Sequence, residues 1–162
     1  MSIRRPISWL AFLVSLMPAF AAGGLLTSPA PDFDGVPGRV VYRMGPVHHE
    51  QGHVDTLVIC TNLADVPAGL AIEIFDSDDA LAGLLTRAKV AAGGTVTFAT
   101  AGDVAPADAV VVLALPPMEN AKARVSATTA RLSCSAKHVL RAAGGGSKEV
   151  PLELVKKVAG GD

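Results

Sequence analysis

The sequence predicts an all-β fold, an antiparallel β-sandwich of about eight strands, loosely immunoglobulin-like and preceded by a signal peptide. Three observations carry that expectation. Apolar and polar residues alternate with period two over short stretches, turn residues recur at intervals of roughly ten, and no segment holds a convincing long helical stripe.

The elements follow in order. Residues 22–37, rich in Gly, Pro, Ala and Ser, read as a flexible lead-in to a domain over 38–157. Val40, Tyr42 and Met44 alternate with Arg39, Val41 and Arg43, and a loop over 45–52 precedes Val54 to Thr61. There Val54, Thr56, Val58 and Cys60 share one face, while Leu57 and Ile59 make the other face apolar, as suits a central strand. Leu70, Ile72 and Ile74 oppose Glu73, and Asp76 to Asp79 form a turn. Residues 81–90 fit both a helical stripe and a strand. Ala91-Ala92-Gly93-Gly94 reads as a hairpin turn into Thr95 to Thr100. Val110 to Leu115 is a continuous apolar run, followed by alternating stretches around Val125, around Cys134 and from Val150 to Leu154. Residues 158–162 form a polar tail.

At 162 residues the chain has room for one domain and a leader. Arg4 and Arg5 supply a positive n-region, Ile7 to Met17 an apolar h-region, and Ala19-Phe20-Ala21 a small-residue cleavage site after Pro18, so 1–21 read as a cleavable signal peptide. The apolar stretch falls short of the ~20 residues that a bilayer span needs, so no membrane span is expected after processing. The destination is then periplasmic or extracellular.

Removing Arg4 and Arg5 leaves 12 cations against 15 acids, a net charge of −3. A mildly acidic domain with scattered cations has no footprint for nucleic acid. Trp9 leaves with the leader, and Phe33, Tyr42, Phe75 and Phe98 remain as the aromatic side chains, which argues against stacking platforms for bases. In an exported chain the two cysteines, Cys60 and Cys134, read as one disulfide.

The succession Cys60-Thr61-Asn62, Glu73-Ile74-Phe75-Asp76, Gly94 to Thr100, Ala123 to Thr128, Cys134-Ser135-Ala136 and Leu152 to Lys157 resembles a group of secreted bacterial β-sandwich proteins with one Cys–Cys pair. The resemblance implies an exported sandwich and brings no activity with it.

The sharpest chemical motif is His48-His49-Glu50-Gln51-Gly52-His53, which contains H-E-x-x-H at 49–53. In zinc proteases that spacing works on a helix, where two His one turn apart reach one ion and the Glu activates its water. Here Pro46 and Gly52 oppose a helix and period two resumes at Val54. A milder possibility is a non-catalytic site in which His48, His49 and His53 hold a transition metal from a loop, since imidazole suits several such ions. Asp76-Ser77-Asp78-Asp79 lacks the spacing of a calcium loop. His138 sits on the face of Cys134 as a half-buried structural residue. No nucleophile elbow, phosphate loop or dinucleotide fingerprint occurs. The expectation is therefore an exported, non-enzymatic structural or binding module for an unknown macromolecular partner, with no cofactor. The alternatives are a periplasmic metal-binding protein using 48–53 and, third, a zinc hydrolase on the same residues.

Overall fold

The computed structural model describes residues 28–100, 110–113 and 115–157. The leader over 1–21 and the tail over 158–162 lie outside the described residues. Among those described, every element is a strand: β1 (Asp32–Phe33), β2 (Val36–Pro37), β3 (Arg39–His49), β4 (Val54–Asn62), β5 (Ala68–Phe75), β6 (Leu81–Val90), β7 (Thr95–Ala99), β8 (Val110–Val112), β9 (Met118–Ala127), β10 (Leu132–Arg141), β11 (Ser147–Leu152) and β12 (Leu154–Lys156). They form two five-stranded sheets, in the orders β11-β10-β4-β7-β8 and β12-β3-β9-β5-β6, with β1 and β2 as a separate hairpin. One apolar cluster draws on both sheets, with Val58, Val96 and Phe98 from the first and Leu70, Ile72, Ile74 and Val125 from the second. That is consistent with the expected sandwich: each sheet turns one apolar face toward the other.

The details depart from the expectation in several places. Twelve strands form among the described residues where about eight were expected, because short pieces add the β1–β2 hairpin and the edge strand β12. The sheets are not wholly antiparallel, since β8 runs parallel to β7. Residues 81–90 resolve as strand β6, paired along β5. Ala91 to Gly94 is a turn, with Gly93 at φ 70°, but it carries the chain from β6 in one sheet to β7 in the other and makes no hairpin. Asn62 fastens that crossing. Its buried amide donates to the carbonyls of Val66, Val90 and Ala91, while its backbone exchanges hydrogen bonds with Gly93 and Gly94.

Strand β3 runs through residues 45–49, where a loop was expected. Its pairing with β9 shifts register between Val40 and Tyr42, and again on either side of Val47. The first irregularity lets the consecutive residues Val41 and Tyr42 both enter the core, which strict alternation forbids. The second absorbs Gly45 and Pro46, whose missing N–H cannot feed a ladder.

The described part of the lead-in is pinned as well. Phe33 is buried against Gly69, where a Cβ would stand 2.5 Å from the ring. This strap over 28–38 covers the outer face of β5, so all eight residues of that strand are buried. Underneath lies Arg124, 1 % exposed. Its guanidinium forks onto Glu73 at 2.6 and 2.7 Å and also donates to the carbonyls of Ser28 and Pro29. Glu73, expected merely to point away from the core, is thus enclosed.

The disulfide forms as expected. Cys60 and Cys134 are bonded and stand directly opposite one another on β4 and β10. The bridge joins neighbouring strands of one sheet, whereas immunoglobulin domains bridge across two. Closing a 74-residue separation stabilises the fold by about 4 kcal/mol on the chain-entropy account.

Candidate functional site

The polar side chains with chemical potential gather where β3 turns into β4. A bridge between Glu50 and Val54 closes that turn, which sets His49 near Asp55 and His48 near Thr56. Strand β10 pairs along β4 and places His138 opposite Thr56, and the chain beyond β7 adds Thr100.

Two small networks result. In the first, the wholly buried carboxylate of Asp55 accepts from His49 Nδ1 at 3.1 Å, from the Thr100 hydroxyl at 3.2 Å and from Arg141 Nη2 at 3.2 Å. Thr100 Oγ1 in turn accepts from the backbone N–H of Thr56 at 2.9 Å. In the second, Thr56 Oγ1 lies 2.8 Å from the carbonyl of His48, accepts from the His48 N–H at 3.1 Å, and lies 3.1 Å from His138 Nδ1. A carbonyl can only accept, so the single hydroxyl proton of Thr56 goes to His48. His138 Nδ1 must then carry its own hydrogen and donate it to Thr56, leaving Nε2 as the basic nitrogen. The rings of His48 and His138 meet edge to face with centroids 5.0 Å apart. Burial, and after it the proximity of His48, hold the His138 imidazole below its ordinary value of 6.5.

Neither network is wired for nucleophilic catalysis. An activated hydroxyl must donate to its base. Here the Thr100 hydroxyl donates to the carboxylate of Asp55, and that of Thr56 donates to a carbonyl while receiving the proton of the imidazole. The His49–Asp55 contact does hold an imidazole in one orientation, as the third member of a triad would, but no hydroxyl is bonded to that ring among the described residues.

The residues singled out from the motif at 48–53 are not brought together. His48 and His49 end strand β3 and take different partners, since neighbouring residues of an extended chain face opposite ways. His53 lies exposed in the turn beyond. Among the described residues no group of three or more His, Cys, Asp or Glu is placed to hold a metal ion. The stretch is strand and turn rather than helix, so H-E-x-x-H lacks the one-turn spacing that its chemistry needs. Comparison with known proteins adds no relative. No family model matches the chain, and neither a curated protein nor a solved structure matches it.

The structure adds residues that the sequence reading passed over. Asp55, Thr100 and Arg141 carry no motif, and their signal was faint: an acid inside an apolar strand and a Thr just past the end of another. His138 is buried, where half-burial was expected. Asp76 accepts from the backbone N–H groups of Asp78 and Ala80, which shapes its own turn. An open cavity of about 410 Å³ beside Arg141, lined also by Gly52 and Glu149, flanks the first network.

Proposed function

We propose that the chain is an exported, non-enzymatic module that acts by binding or holding another macromolecule, with residues 1–21 removed as a signal peptide. The observation that carries this reading is the direction of the two threonine hydroxyl bonds. Thr56 accepts a hydrogen bond from the His138 ring and Thr100 donates one to the Asp55 carboxylate, so each works as a fastener between strands. The Cys60–Cys134 bond supports export, because disulfides persist in oxidising compartments. No helix among the described residues is long and apolar enough to cross a membrane. The likeness to secreted sandwiches with one Cys–Cys pair points the same way. The looser kinship with immunoglobulin domains rests on the two-sheet arrangement alone, since the bridge lies within one sheet.

Protein recovered from the native host should begin near Ala22 by mass spectrometry, and an intact Met1 in exported material would overturn the processing. The exported chain should turn over no peptide, ester or phosphoester substrate, with or without added Zn²⁺. Zinc-dependent hydrolysis abolished by Glu50→Gln would move the chain into the hydrolase class.

A further inference from the structure

We propose that His48 and His138 form an acid-sensitive clasp between the two sheets, closed while the His138 ring is uncharged and released when it takes up a proton. His48 belongs to β3 in one sheet and His138 to β10 in the other. The Thr56 hydroxyl ties the two together, holding the backbone of the first and the ring of the second. With Nδ1 of His138 given to Thr56, a second proton must enter at Nε2, on a ring that stands 5.0 Å from another imidazole.

The surroundings offer little to offset such charge. On β3 and β4 the neighbouring groups are His49 and Asp55, and on β10 they are Lys137 and Arg141. Asp55 is engaged by His49 and Arg141, and Lys137 by Glu149 of β11. Glu50, His53, Glu119 of β9 and Lys148 of β11 are exposed to solvent. Among the described residues neither His48 nor His138 has an acidic partner. A protonated His138 ring would lie edge to face against the half-buried His48, and burial opposes its charged form.

The sign follows from linkage. A histidine that binds its proton less readily when folded makes stability rise with pH, because the unfolded chain holds more protons in that window. The contribution is complete above 6.5, the ordinary imidazole value, and is lost as pH falls toward the depressed value of His138. The part that opens is the β3–β4 corner, with the His49–Asp55 contact beside it. A module of this kind would change its shape at one end on entering an acidic environment, a property beyond the binding role proposed above.

Hydrogen exchange of the full chain between about pH 7.5 and about pH 5 tests the clasp, because imidazoles titrate in that range. After correction for intrinsic exchange, residues 47–57 should lose protection as pH falls, by up to about tenfold per pH unit, the limit for opening coupled to one proton. His138→Asn sets an amide donor where Nδ1 stands and cannot become charged, so it should flatten that dependence, whereas His49→Gln should leave it in place. In the unmodified chain the His138 ring should titrate below 6.5 by nuclear magnetic resonance, a reading that needs no variant to fold. Constant protection across the window, a His138 midpoint at or above that value, or full pH dependence persisting in His138→Asn would each overturn the proposal.

Discussion

Glu73 and Asp55 are both buried carboxylates, yet one is gripped by a forked buried guanidinium with the Ser126 hydroxyl beside it, and the other is shared among an imidazole, a hydroxyl and one arm of a partly exposed guanidinium. Glu73 receives a forked guanidinium, and Arg124 binds the strap carbonyls with its remaining donors, so one ion pair fixes β5, β9 and the N-terminal segment together. Asp55 receives an imidazole, a hydroxyl and one arm of the partly exposed Arg141. The cation of the first arrangement keeps its charge over the range in which proteins work, because guanidinium does not lose its proton there. The second includes one imidazole and lies beside two more that face each other. The strapped face is therefore built to stay shut, and the β3–β4 corner is the part of the sandwich able to respond.

The largest effect expected from breaking this comparison is at Arg124. Arg124→Met keeps apolar bulk over Phe75, whose ring the guanidinium now covers at 5.3 Å, but strands Glu73 as an unpaired buried charge. Removing one partner of a buried pair costs about 3–5 kcal/mol. Urea unfolding should show that loss, and hydrogen exchange should show the strap over 28–38 released with it. A loss below about 1 kcal/mol would mean that Glu73 finds water, and that the strap is held by Phe33 alone.

Asp55→Asn should cost less, about 2 kcal/mol in the same measurement. The amide oxygen still accepts from His49 and Thr100, and Arg141, a quarter exposed on its side chain, can turn to solvent. Equal losses at Asp55 and Arg124 would erase the distinction between a shared and a clamped carboxylate.

The layers of this structure were unequally legible in the sequence. Strand periodicity, the fate of Cys60 and Cys134, and the central place of β4 follow from residue type and spacing. The ion pair did not, because Glu73 and Arg124 look like ordinary solvent-facing residues of two distant strands. Only the β5–β9 register brings them together, and only the strap buries them. The strap itself was hidden by composition. Gly, Pro and Ala signal a mobile segment, while the anchor is one aromatic ring that fits a notch where Gly69 has no side chain. The site was misplaced by the same locality. Pro46 and Gly52 mark a loop, yet β3 passes Gly45 and Pro46 with a register shift and delivers His48 and His49 as strand residues to partners far along the chain.

The smallest effect is expected where the sequence motif is most conspicuous. His53 and Glu50 stand exposed at the tip of the β3–β4 turn, and their side chains appear in no hydrogen bond or ion pair among the described residues. His53→Ala and Glu50→Gln should each stay within about 0.5 kcal/mol of the parent chain. Micromolar Zn²⁺ or Cu²⁺ should leave the melting temperature of the parent and of both variants unchanged at neutral pH. A true site would stabilise the fold by mass action, by about 2.7 kcal/mol at a hundredfold excess over its dissociation constant. For His48, His49 and His53 to converge on one ion, two neighbouring strand residues that face opposite ways would have to turn toward the same exposed turn, and His48 would give up its contact with His138. The corner is thus organised against the very chemistry that its sequence advertises. A melting point that rises with Zn²⁺ and loses that rise in His53→Ala would show that the turn can pull those two rings away from their partners.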